Sequence, residues 1–210
     1  MLSYLRPAAV LLLAFTLLTG LAYPFAVTGI AQLLFSSKAN GSLIERDGTV
    51  VGSQLIGQAF SSNRYFHGRP SATTAPGAVD KMTGETLAAV PAPYNAAASG
   101  ASNAGPTSSA LLERIRRAYA KLRSENAHVP VPVDLVTSSA SGLDPHITPA
   151  AAEFQVPRVA RARHMTEEQI RALVAANTTQ RWIGLFGEPV VNVLQLNLAL
   201  DAAASAASPH

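Results

Sequence analysis

From Pro7 to Ser37 no charged residue interrupts the chain, and the run from Ala8 to Phe35 is almost wholly apolar. That run exceeds the ~20 residues a helix needs to cross the hydrocarbon of a bilayer. A single span in lipid must satisfy its own backbone groups, so the pattern predicts a helix. Gly20, Pro24 and Gly29 are the positions where it would bend. The rival reading is a cleaved signal peptide, with Arg6 as its basic flank, Ala8 to Thr19 as its apolar region and Gly20-Leu21-Ala22 as its cleavage site. Cleavage after Ala22 would leave "YPFAVTGIAQLLF" as a new apolar end with nothing to bury it. The uncleaved anchor is therefore preferred, and a secreted or periplasmic binding module released by cleavage is the alternative.

Beyond Phe35 the pattern changes to short alternations and mixed faces. Residues 1–7 read as a short cytoplasmic N-terminus, 8–35 as the membrane helix and 36–41 ("SSKANG") as a polar connector. An α+β domain is expected over 42–203 and a flexible tail over 204–210. Asp47-Gly48 between apolar runs predicts a hairpin. "SNRYFHGRPSATT" reads as a strand end and turn, and 71–109 as a long loop rich in Ala, Ser, Thr, Gly and Pro. In "SSALLERIRRAYAKLRSEN" a helix is expected to gather Leu111, Leu112, Ile115, Tyr119 and Leu122 on one face. Pro130 and Pro132 favour extended chain. Thr148 then caps a helix that Pro149 begins, and Pro157 opens or interrupts the next piece. Thr166 and Gln169 form a capping box. Over 191–200 alternation competes with a box at Asn192/Gln195, and a short strand followed by a helix is expected.

Composition supports a membrane-embedded part. Apolar residues make up 48% and charged residues 14%, against about 25% charged in an ordinary soluble protein. The net charge of +3 is mild, and no dense Lys/Arg run interleaved with aromatics calls for nucleic acid. Arg158, Arg161 and Arg163, like Arg114, Arg116 and Arg117, read as solvated helix faces. The absence of cysteine removes disulfides, thiolate metal sites and cysteine nucleophiles. Charges flanking the apolar run are nearly balanced, so they decide little; an N-terminal span usually sends the chain after it across the membrane. The N-terminus is expected in the cytoplasm and the domain outside.

No phosphate-binding loop, dinucleotide fingerprint, zinc-binding histidine pair or serine-hydrolase elbow occurs. His67, His128, His146, His164 and His210 are scattered, and Glu153, Glu167, Glu168 and Glu188 suggest no opposed pair. The densest chemistry is "SGLDPHITPAA", where Ser141, Asp144 and His146 lie within one turn. A nucleophile with its base, a pair of metal ligands, or a turn leading into a helix all fit. Triad members normally converge from separate elements, which favours the turn. No catalytic or metal residue is assigned.

Several blocks in order resemble the C subunit of the bacterial Kdp-type potassium-transporting ATPase. They are "GSLIERDGTVVGSQLIGQAF", "YFHGRPSA", "YNAAASGASNAGPT", "VPVPVDLVTSSASGLDPHITPAAAEFQVPRVARAR" and "GEPVVNVLQLNLALD". With the apolar run they cover most of residues 8 to 201. The resemblance implies a non-catalytic, single-pass inner-membrane subunit of an ATP-driven potassium importer. Its partners would be a P-type ATPase subunit, a channel-like potassium-selective subunit, a small helical subunit and the lipid bilayer, with no nucleic acid. It would support assembly and act as a catalytic chaperone raising the ATPase subunit's affinity for ATP. No cofactor is expected to be bound tightly, ATP entering only in the context of the complex. Candidate structural or subunit-contact residues in these blocks are Tyr94, Asn95, Ser99, Gly100, Ser102, Asn103, Gly105, Pro106, Asp134, Asp144, Pro145, His146, Arg158, Asn192 and Asn197. Ala101 stands where the family pattern has a second glycine. If that position requires a positive φ, alanine there costs stability.

Overall fold

The computed structural model describes residues 2–79 and 86–206; residues 80–85 of the expected long loop and the expected tail residues 207–210 lie outside the described residues. The chain divides into two compact units, Met1–Ser53 and Gln54–His210. The first unit thus holds the apolar helix together with the first hairpin.

In the first unit an apolar helical run spans Leu5–Ala39, none of it buried against protein, with a kink at Phe35, whose backbone leaves the helical region (φ −137°, ψ 39°). It comprises α1 (Leu5–Leu17), a π-helical turn (Leu18–Ala22) and α2 (Tyr23–Ala39). The wide turn answers to Pro24. A proline has no N–H to donate and its ring crowds the carbonyl four residues back. Just before it, the Tyr23 N–H reaches Leu18 O, five residues back. Widening the turn relieves the clash without exposing the ladder to lipid. Thr16 and Thr19 return their hydroxyls to Leu12 O and Phe15 O, both at 2.7 Å, so neither offers an unpaired donor. Helix continues through Ser36–Ala39, residues expected as connector, and ends where Gly41 takes φ 88°. β1 (Leu43–Arg46) and β2 (Thr49–Ser53) then pair antiparallel. Asp47 (φ 51°) and Gly48 (φ 74°) both adopt the left-handed conformation that a tight two-residue hairpin turn requires.

The second unit is built around α4 (Pro149–Arg163), α5 (Glu167–Ala176) and α6 (Val193–Ala206). A small antiparallel sheet joins them, in the order β5 (His146–Ile147), β7 (Val190–Asn192), β6 (Thr178–Thr179). The core holds Phe154, Val156 and Val159 of α4, Ile170 of α5, Leu196 and Leu200 of α6, Ile147, Val191 and Phe66. Helix starts follow local chemistry. Thr148 accepts from Ala151 N–H at 3.1 Å with Pro149 in the first turn. Thr166 and Gln169 complete the capping box. Asn192 accepts from Gln195 N–H at 3.1 Å, so the ambiguous stretch resolves as strand, then helix. α6 extends to Ala206, into residues expected as tail.

Several expectations are corrected. α4 passes through Pro157 without stopping; Val156 and Val159, on either side of it, are fully buried, and their packing outweighs the one ladder bond proline lacks. No strand forms over 61–73, because side chains rather than a neighbouring strand take up that backbone. α3 (Ser109–Glu125) turns Leu111, Ile115 and Leu122 inward, but Leu112 (41% exposed) and Tyr119 (47%) face outward. Arg114, Ala118 and Glu125 complete the inner face instead. Between Gln54 and α3 the described chain is mostly irregular: β3 (Thr74–Ala75) pairs with β4 (Val90–Pro91), Val79 bridges Thr86, and a 3-10 turn stands at Ala96–Ala98. After Pro132, extended at ψ 141°, a 3-10 turn occupies Val133–Leu135 in place of continued extended chain.

Candidate functional site

The polar residues of this chain are organised around loop backbone. Two clusters do the organising, and each fastens segments far apart in sequence.

The first centres on Asp144. One carboxylate oxygen accepts from Arg69 Nη1 at 3.1 Å; the other accepts from the His146 backbone N–H at 3.0 Å and lies 3.5 Å from His146 Nδ1. Burial pushes this carboxyl up, but the hydrogen bonds from His146 and Arg69 outweigh it and hold it below the usual carboxylate range. Arg69 also donates to Thr137 O and Ser138 O, both at 3.4 Å. Tyr94, at φ 60°, donates its hydroxyl to Arg69 O at 2.6 Å. Burial, and then the Asp144 charge, push the Tyr94 phenol up to about 12. Ser71 donates to Gly142 O at 2.7 Å and accepts from Tyr94 N–H at 3.0 Å. Thr73 donates to Ala92 O at 2.6 Å and accepts from Asn95 N–H at 3.1 Å. Gly100 N–H (2.9 Å) and Ser99 Oγ (3.0 Å) both donate to Ser141 O. Three loops, 57–73, 92–100 and 137–146, are thereby tied into one knot.

Close backbone approach makes the knot possible. At Gly142 φ is 68°, and a Cβ would stand 2.6 Å from Thr73 Cγ2 and 2.7 Å from Gly100 O. At Gly57 a Cβ would overlap the Tyr94 ring and stand 2.7 Å from Asp144 O. Ala101 is not among the positive-φ residues, whereas Asn103 is, at 47°. Alanine at this position is therefore unstrained.

The second cluster holds the segment "RYFHG". Asn197 Oδ1 accepts from Phe66 N–H at 2.8 Å while its Nδ2 donates to Phe66 O at 3.0 Å. Gln155 does the same for His67, at 2.8 and 3.1 Å. These two buried amides replace the strand that the sequence pattern suggests. Arg158 donates to Asn63 O (2.8 Å), Tyr65 O (3.0 Å) and Gln155 Oε1 (2.7 Å). Burial holds its guanidinium below its ordinary value. Arg163 donates to Arg64 O at 2.6 Å, pairs with Asp201 at 2.8 Å and lies over the Tyr65 ring. Burial, then the nearby Arg158 charge, push His67 down.

Of the residues singled out from sequence, Tyr94, Asn95, Ser99, Gly100, Asp144 and His146 meet in the first cluster. Pro145 links it to α6, its carbonyl accepting from Val193 N–H at 3.0 Å. Arg158 and Asn197 meet in the second. Asn192 ties Gln54 O to the start of α6 at 2.9 Å, and Asp134 accepts from Thr148 N–H at 2.8 Å. Ser102 accepts from Arg114 at 3.3 Å, and Gly105 O accepts from Ser108 N–H ahead of α3. Asn103 and Pro106 are exposed and join neither cluster. Sequence reasoning missed Arg69, Ser71, Thr73, Gln155 and Arg163. Gln155 carried a signal: it is a lone amide on the apolar face of α4.

The arrangement builds rigidity rather than a reaction centre. Ser141 Oγ accepts from Leu143 N–H at 3.1 Å and lies 3.4 Å from Ser139 Oγ, while His146 turns to Asp144. No Ser141–His146 hydrogen bond forms among the described residues, and these hold no group of three metal-ligating side chains. The protein-family model that matches this chain is the one for "K+-transporting ATPase, c chain" (KdpC), over residues 5–202. A "Potassium-transporting ATPase KdpC subunit" from Methylobacterium nodulans is 62% identical over 201 residues, 96% of this chain and 98% of its own. Proteins of the same name from Bradyrhizobium diazoefficiens (61% over 205 residues, 98% of this chain and 100% of theirs) and Methylorubrum extorquens (61% over 200, 95% and 97%) are similar throughout. With apolar helix and knotted domain both inside the matched region, the chain belongs to the KdpC family, the c chain of the potassium-transporting ATPase.

Proposed function

We propose that this chain is the anchored, non-catalytic subunit of an ATP-driven potassium importer, and that it supports assembly and raises the ATP affinity of the P-type ATPase subunit. The observation that carries this reading is a family match spanning both the apolar helix and the knotted domain. Its expected partners are that ATPase subunit, a channel-like potassium-selective subunit and a small helical subunit. The N-terminus lies in the cytoplasm and the domain outside.

ATP is cytoplasmic, so an outside domain acts on ATP affinity only by binding the pump's conformations unequally. A rigid domain suits that task. It transmits a preference between states, where a loose one would absorb it. No tightly held cofactor enters this reading, and ATP is met only through the complex.

The test is to purify the complex from potassium-starved cells with and without this chain and to measure ATP binding. Loss of the chain should weaken ATP binding about 5–150-fold, the usual range of allosteric coupling, or prevent the complex from forming. An intact complex with unchanged ATP affinity overturns the proposal. So does crosslinking of the domain to the cytoplasmic nucleotide-binding domain in intact cells. A native chain whose mass shows cleavage after Ala22 would favour the released module instead.

A further inference from the structure

The segment between β6 and β7 closes on itself as a small turn. Trp182 N–H donates to Phe186 O at 2.8 Å, Phe186 N–H returns to Trp182 O at 3.1 Å, and Leu185 N–H shares that carbonyl. Gly184 N–H is taken by Arg181 O. Around this closed backbone stand four large apolar side chains: Trp182 (70% exposed), Ile183 (66%), Leu185 (75%) and Phe186 (60%). Charge appears only at the base, where Arg181 and Glu188 pair at 2.5 Å.

The turn is also strained. Ile183 sits at φ 46°, a region that β-branched residues avoid and that Gly or Asn would fill at lower cost. Such strain is ordinarily retained where it serves a function. The folded domain gains nothing from an exposed isoleucine there, but an apolar tip does.

We infer that the tip Trp182–Phe186 inserts into the interfacial layer of the lipid bilayer. Three features favour lipid over a protein partner. The N–H groups of Trp182, Gly184, Leu185 and Phe186 are already spent, which lipid demands and a protein partner would not. The apolar side chains are exposed one and all, suiting a surrounding medium better than a shaped pocket. Tryptophan and phenylalanine above a paired charge match the chemistry of the membrane interface. The same chain carries a helix long enough to span the bilayer, so lipid is a tethered neighbour at high effective concentration. The inference rests on that reading of Leu5–Ala39.

Trp182 is the only tryptophan in the chain and serves as its own probe. The full-length chain is reconstituted into phosphatidylcholine–phosphatidylglycerol vesicles whose acyl chains are brominated near the headgroups. Trp182 emission should shift to the blue and be quenched, reporting a depth of about 5–10 Å. The I183S/L185S/F186S variant, changed only at exposed positions, should lose most of that quenching. Flotation with the vesicles after an alkaline wash reports separately whether Leu5–Ala39 spans. Firm flotation with an unquenched, water-like Trp182 overturns the tip and spares the anchor. A photo-crosslinker at Leu185 that captures another subunit of the assembled complex, rather than lipid, also overturns it.

Discussion

Asp144 sits where three loops meet, so its charge state reports on the whole knot. Its folded pKa lies below its unfolded one. Its contribution is therefore complete at neutral pH. It declines once pH falls below the unfolded value of about 3.9 and is gone below the folded value. Asp144→Asn keeps an acceptor for the His146 N–H but loses the ion pair with Arg69, and should cost about 1–2 kcal/mol. In acid melts of the full chain in mild detergent, the gap between wild type and variant should close as pH drops through that window. A gap that persists unchanged would mean the charge is not what Asp144 supplies. Tyr94 gives the opposite sign. Its phenol is raised to about 12, so its contribution is full below about 10 and is lost between about 10 and 12. Tyr94→Phe removes the bond to Arg69 O, worth about 1 kcal/mol. It should also flatten the alkaline limb of the stability profile, which a pH series of thermal melts would read directly. Gly142→Ala combines a positive φ with overlap against Thr73 and Gly100, so it should be the most damaging single methyl in the knot.

At the scale of elements, Phe66 is completely buried on a segment that has no strand beside it. The amides of Asn197 and Gln155 take the part of the missing neighbours, each accepting one N–H and returning one to the same residue's carbonyl. Asn197→Leu fills similar volume but leaves both polar groups of Phe66 buried and unpaired. At about 1–3 kcal/mol for each orphaned group, the variant should lose about 2–6 kcal/mol, read as a lower thermal midpoint. A near-wild-type midpoint would show that water reaches Phe66. The same arrangement explains what sequence could and could not reveal. The caps at Thr148, Thr166 and Asn192 and the Asp47-Gly48 turn were legible because each is written within four residues of the element it starts. The apolar span was legible because lipid leaves a helix no alternative. "YFHG" read as a strand end because its pattern is extended, yet its partners sit about 90 to 130 residues away on helices. The knot stayed hidden for the same reason. Asp144, Ser141 and His146 looked like a local constellation, but Arg69, Tyr94 and Gly100 are their working partners, and no local pattern connects them.

At the scale of the molecule, one helix is long and apolar enough to cross a membrane, and the proposed function puts the domain outside. Charge does not decide it: Arg6 precedes the apolar helix, and Lys38 and Arg46 come after it beside Glu45 and Asp47. Chemistry offers a clean way to ask, because the chain has no cysteine. A single introduced thiol is then the only reactive one. Ser3, ahead of the helix, and Ser61, in the second unit, are both exposed, so cysteine at either position disturbs no packing. With the N-terminus inside, Ser61→Cys should react with a membrane-impermeant maleimide in intact cells once the outer envelope is opened. Ser3→Cys should react only after the inner membrane is permeabilised. The reversed pattern would put the domain beside cytoplasmic ATP, and an indirect coupling to ATP affinity would lose its reason. Labelling of both sites in intact cells would mean the helix does not span, and the released module would become the better account.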